Sequence, residues 1–120
     1  MYHQDICIKF TIGDRNYEAV GFLKEDEVSV AGDAMLARTA GQNGGAIGEE
    51  DESFLRQHLE ELPVELQPYW LATNKSYPGH PQYVSCFYFD GGRWRQRWYW
   101  LDSQWDDSDL VVCRCASESR

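Results

Sequence analysis

Tyr83-Val84-Ser85-Cys86-Phe87-Tyr88-Phe89-Asp90-Gly91-Gly92-Arg93-Trp94-Arg95-Gln96-Arg97-Trp98-Tyr99-Trp100-Leu101 decides the fold. Two aromatic runs flank Asp90-Gly91-Gly92-Arg93. A Gly-Gly pair between strand-forming runs is the signature of a two-residue hairpin turn. Counting outward pairs Asp90 with Arg93, Phe89 with Trp94, Phe87 with Gln96, Ser85 with Trp98 and Tyr83 with Trp100. Successive strand side chains point to opposite faces, so the residues of the last four pairs share one face. That face reads as core. The other carries Tyr88 with Arg95, Cys86 with Arg97 and Val84 with Tyr99, and reads as the solvent side. A slip of one residue would exchange the two faces.

Downstream, Asp102 to Asp109 forms an acidic loop around Trp105. Leu110 to Ala116 is a further strand, with Val111, Cys113 and Cys115 on one side. Ser117 to Arg120 reads as a mobile tail. Upstream, Asn74 to Gln82 contains Pro78, Gly79 and Pro81 and reads as a loop. Tyr69 to Thr73 reads as a strand before it.

A helix is expected over Glu49–Leu62. Its first turn holds Glu49, Glu50, Asp51 and Glu52, where the helix dipole favours acids. Phe54, Leu55, Leu59 and Leu62 recur at helical spacing, and Pro63 ends the run. One further turn spans Pro63 to Gln67. A shorter helix is expected over Gly32–Ala40, with Met35 and Leu36 inward. Gln42 to Gly48 is a glycine-rich linker without the lysine of a phosphate-binding loop. Lys24 to Glu27 is a charged connector. Ile6, Ile8, Phe10 and Ile12 alternate with Cys7, Lys9 and Thr11, and Tyr17 to Leu23 returns after a turn at Gly13–Asn16. Those two strands make an N-terminal hairpin.

The expected fold is α+β: an antiparallel sheet of five to six strands with two helices packed on one face. Residues 1–120 form one domain, divided into the hairpin (1–23), a helical segment (30–67) and the aromatic-rich strands (69–116). With 42% hydrophobic residues, the chain has the material for a core. Met1–Asp5 has neither the basic nor the apolar region of a signal peptide, so a cytoplasmic location is the expectation. Cys7, Cys86, Cys113 and Cys115 are then reduced thiols.

The net charge is −9 and is unevenly spread. Residues 24–62 carry −7, residues 63–97 carry +2 and residues 98–120 carry −3. Such acidity opposes direct binding of nucleic acid and favours a partner with a basic surface.

Two segments carry a resemblance. One is Gly48-Glu49-Glu50-Asp51 with Phe54-Leu55, His58, Glu60-Glu61 and Pro63. The other is Arg93-Trp94, then Trp98-Tyr99-Trp100-Leu101-Asp102-Ser103, Trp105-Asp106 and Val111-Val112-Cys113-Arg114. Over residues 28–115 the chain resembles a loose group of small, acidic, bacterial and phage-associated proteins. That group carries no known activity, so the resemblance transfers no functional residue. It implies an association with mobile genetic elements.

No nucleophile motif and no paired Cys-x-x-Cys loops occur, so neither an enzyme nor a zinc site is expected, and no cofactor. Cys113-x-Cys115 reads as sheet filling. His58 and Glu61 could both reach a metal, but no second such pair exists, and His58 reads as a border residue beside Phe54. Asp102, Asp106, Asp107 and Asp109 lack the glycine and spacing of a calcium loop. Arg93, Arg95 and Arg97 interleave with Trp94 and Trp98 in the manner of a single-strand nucleic-acid platform, yet the alternation puts them on opposite faces.

The acids are the strongest functional signal. Carboxylates spaced on a helix can imitate nucleic-acid phosphates and occupy a basic cleft. The expectation is a non-enzymatic binding protein, in the manner of anti-CRISPR or nuclease-immunity proteins. Its contacts would be Glu49, Glu50, Glu52, Glu60, Glu61, Trp105, Asp106 and Asp107. A second reading is an aromatic-rich interaction or dimerisation module with an exposed patch on the 83–101 hairpin or at Trp105, because five Trp and seven Tyr exceed what so small a core requires. In the free protein Glu50, Glu61 and Asp107 should be exposed, and Phe54, Leu55, Leu59, Trp98 and Trp100 buried.

Overall fold

The computed structural model describes residues 6–41 and 44–115. The expectations for Met1–Asp5 and for the Ser117–Arg120 tail lie outside them. The strands are β1 (Cys7–Ile12), β2 (Arg15–Val20), β3 (Ser29–Ala31), β4 (Trp70–Tyr77), β5 (His80–Asp90), β6 (Arg93–Trp100), β7 (Gln104–Asp106) and β8 (Asp109–Arg114). The helices are α1 (Gly32–Arg38) and α2 (Glu49–Arg56), with single 3-10 turns at Leu59–Glu61 and Val64–Leu66. The fold is α+β.

The main sheet has six strands in the order β1-β2-β8-β4-β5-β6, and β3 pairs with β7 in a small ribbon. The β5–β6 register is the one the sequence implies, from Asp90 opposite Arg93 to Tyr83 opposite Trp100. Gly91 and Gly92 both take positive φ, which a two-residue hairpin of this kind requires. One pairing departs from the antiparallel expectation. β8 lies parallel to β4, with Leu71 opposite Leu110. After β6 the chain returns through β7 and places β8 between β2 and β4. Leu110, Val111, Val112 and Cys113 are consequently all buried. A continuous apolar run is what a strand covered on both faces needs.

The sheet is covered on both sides, and each helix takes a different side. Leu55 of α2 packs with Phe10, Ile12, Tyr17, Leu71, Phe87, Leu110 and Val112. Met35 of α1 packs with Val20, Ala72, Cys86, Val111, Cys113 and Trp105. Adjacent residues such as Leu71 and Ala72 divide between the two cores, which is the period-two alternation of a strand. Both helices were expected on one face. They separate because the face carrying Val84 and Cys86 is apolar along the middle of β5 and needs its own cover.

Local differences have local causes. α2 ends at Arg56, not Leu62. His58 leaves helical geometry (φ −130°, ψ 29°), and its Nδ1 donates to the Phe54 carbonyl at 2.7 Å. The 3-10 turn after it then delivers Leu62 to the core. The Asn74–Gln82 segment, expected as a loop, is mostly strand. β4 runs to Tyr77 and β5 starts at His80, with the turn confined to Pro78-Gly79. The glycine-rich linker is pinned by Ile47, which is buried and donates its N–H to the Val112 carbonyl.

Candidate interaction surfaces

Two of the four acids of the first turn of α2 are committed to the fold. Asp51 accepts hydrogen bonds from Arg15 (2.9 Å), from the Tyr17 hydroxyl (2.8 Å) and from Arg114 (3.2 Å). Burial and the Asp51 carboxylate push the Tyr17 hydroxyl up to about 12. Glu52 is fully buried. It accepts from Ser85 Oγ at 2.5 Å and from Arg56 at 3.1 Å, while Gln96 donates to the same Ser85 hydroxyl at 2.9 Å. The spacing held this signal, since Glu52 lies three residues before Leu55 on the inward stripe. Glu49 and Glu50 remain outside, with side chains 80% and 87% exposed. Lys75 at 3.5 Å and Arg15 at 3.6 Å touch them only loosely. Glu60 and Glu61 are also exposed.

The acidic loop divides in the same way. Trp105, expected at a contact surface, is fully buried, and its Nε1 donates to the Leu101 carbonyl at 3.1 Å. It is the centre of the α1-side core because β7 turns it inward opposite Val30. Trp105 and Glu52 are thus structural residues, not surface ones. Asp106 accepts from the Ser108 N–H and hydroxyl, which lowers its pKa below the ordinary range. Asp107 is exposed. Asp109 accepts the Asp106 N–H at 2.9 Å. Burial above all, with Asp106 and Asp107 nearby, raises its pKa to about 7. A hollow of about 250 Å³ adjoins it, walled by Trp70, Tyr99 and Gln104.

The cysteines are free thiols. Burial raises Cys86 well above its ordinary value and Cys113 to about 12, and Glu18 beside Cys7 reinforces the rise there. These three therefore stay protonated and are poor nucleophiles at neutral pH. Among the described residues, no three of His, Cys, Asp and Glu converge on a metal-sized site. None of their helices is long and apolar enough to cross a membrane.

An exposed aromatic patch lies where β4, β5 and β6 end together, at one end of the 83–101 hairpin and not at Trp105. Trp98 and Trp100, expected in the core, are half-buried and 50% exposed. Tyr77 is 43% exposed and meets Trp98 edge-on at 5.1 Å. His80 lies 5.6 Å from Tyr77 and 6.4 Å from Tyr83, and Tyr83 lies 6.3 Å from Trp100. Tyr77, His80, Tyr83 and Trp98 line an open depression of about 270 Å³. Tyr83, Trp98 and Trp100 share the α2 face of the hairpin, but α2 reaches only as far as Ser85 and the segment after it lies at the Trp94 end. The sequence showed the face and not how far its cover reached.

No protein-family model, curated protein or solved structure matches the chain.

Proposed function

We propose that this protein is a non-enzymatic binding module whose contact surface is the aromatic corner formed by Tyr77, His80, Tyr83, Trp98 and Trp100. One observation carries the reading: five aromatic rings cluster at one end of the sheet and keep a large share of their surface in water. Clustered, rigid, half-exposed aromatics are the common anchors of protein interfaces, because they bury much area with little loss of side-chain freedom. A contiguous exposed apolar patch on a small domain marks an interaction site more often than chance.

The acidic surface supports a second reading, an inhibitor occupying a basic nucleic-acid-binding cleft in the manner of an anti-CRISPR or nuclease-immunity protein. Glu49, Glu50, Glu60 and Glu61 are available for it. Asp51 and Glu52 are spent on internal bonds, which halves the charge that the first turn of α2 presents.

Two variants separate the readings. Tyr77→Ala/Trp100→Ala removes exposed rings, and Glu49→Lys/Glu50→Lys/Glu61→Lys reverses exposed acids. A partner captured by the wild type and lost only by the aromatic variant supports the corner. Loss only with the reversed acids, with binding that weakens as salt rises, supports the cleft inhibitor.

A further inference from the structure

We infer that the free edge of β6 accepts an extended strand from a partner, in which acids alternate with apolar residues. The inference rests on the reading of this chain as a binding module and assigns the partner's chemistry.

β6 is the last strand of the sheet, so one side of its backbone pairs with no strand, although residues 56–61 lie beside its Trp94 end. The Leu101 N–H bonds the Gln82 carbonyl. In an antiparallel ladder hydrogen-bonded pairs alternate, so Arg93, Arg95, Arg97 and Tyr99 point their backbone groups at β5. Trp94, Gln96 and Trp98 point theirs outward. Among the described residues nothing bonds those outward groups.

The side chains specify the guest. Arg93, Arg95 and Arg97 stand on one face of β6, and Trp94, Gln96 and Trp98 on the other. Arg95 leans on Asp90 at the turn, while Arg93 and Arg97 are exposed, with no acid partner among the described residues. In a chain of net charge −9 this is an isolated basic row. A guest strand would set its residues directly opposite the arginines at the close, non-hydrogen-bonded positions. Acids there form cross-strand ion pairs. The alternate residues fall beside Trp94 and Trp98 and lead toward the aromatic corner. The distant acids of the chain are screened beyond about 8 Å at physiological salt.

The same row excludes a second copy. An antiparallel copy of β6 in the same plane would place arginines against arginines on one face, and like charges directly opposite are destabilising. Charged side chains on an edge guard against self-pairing. Here they guard against one partner and select another.

The test uses a labelled nine-residue peptide of alternating Glu and Val, with two controls. In one, Lys replaces Glu. In the other, the Val amides are N-methylated, since those amides would face the outward groups of β6. Binding to the full-length protein is read by fluorescence anisotropy at low salt, and the site by amide exchange. The Glu-Val peptide should bind at least tenfold more tightly than either control and slow exchange at Trp94, Gln96 and Trp98. Arg93→Glu/Arg97→Glu should reverse the preference toward the Lys peptide. Absence of binding, indifference to N-methylation or protection elsewhere would overturn strand addition. If the corner variant Tyr77→Ala/Trp100→Ala still loses its captured partner in that case, the corner reading stands and only the strand pairing fails.

Discussion

Ser85 donates its hydroxyl to the buried carboxylate of Glu52 at 2.5 Å, and this bond joins the middle of β5 to the helix above it. The Arg56 guanidinium donates to the same carboxylate, and the Gln96 amide donates to the Ser85 hydroxyl, so the network ties α2 to β5 and β6. The arrangement is positional. It holds α2 over the sheet and leaves Glu49 and Glu50 outside.

Glu52→Ala strips this arrangement and leaves the buried Ser85 hydroxyl without an acceptor. Leaving buried polar groups unmade costs roughly 1–3 kcal/mol. Glu52→Gln retains an acceptor and should lose less. Urea unfolding measures both. An alanine variant as stable as the wild type would show that the bond does not hold the helix.

Gly32 opens α1, and its N–H donates to the Leu101 carbonyl at 2.8 Å. A Cβ at this position would lie 2.1 Å from that oxygen. Replacing a helical glycine by alanine commonly gains about 0.5–1 kcal/mol. Here the sign should reverse, because the β6–β7 turn would have to move. Overpacking of this kind costs roughly 1–3 kcal/mol. A rise in thermal midpoint for Gly32→Ala would contradict the close approach.

Much of this was legible beforehand, and the exceptions share a cause. Asp90-Gly91-Gly92-Arg93 set the register of β5 and β6 through its turn chemistry alone. Ile8, Phe10 and Ile12 marked β1 by alternation. What alternation could not tell was which elements cover each face. Trp98 and Trp100 share a face with Phe87, yet α2 reaches only as far as Ser85, opposite Trp98. Trp105 stood among aspartates and looked like a loop residue, because its pairing strand β3 is over seventy positions away and three residues long. Glu52 was read by its charge when its spacing from Leu55 was the better guide.

Trp105 and Trp100 should behave oppositely. Truncating a fully buried tryptophan to alanine costs about 3–5 kcal/mol. Trp100→Ala removes a half-exposed ring and should cost far less. Chemical denaturation of the two variants side by side checks this, and equal losses would mean that Trp100 is part of the core.

Asp109 has a folded pKa near 7 against an ordinary value of 3.8, so the fold favours its protonated form. Its stabilising contribution is whole below about pH 4 and is lost as the pH rises through 7. Asp109→Asn keeps an oxygen for the Asp106 N–H and removes the titration. The variant should therefore gain on the wild type as pH rises from 4 to 7.5, with the difference levelling off above. A difference that does not change with pH would show that Asp109 is ionised throughout.

The most direct test of the binding surface is a footprint. Hydroxyl-radical labelling of the protein, alone and with its captured partner, reports each exposed ring. Protection at Tyr77, Tyr83, Trp98 and Trp100, with Phe54 and His58 unchanged beside α2, is the expected result. Protection confined to residues 49–61, with the four corner rings as reactive as before, would contradict the aromatic corner as the contact surface.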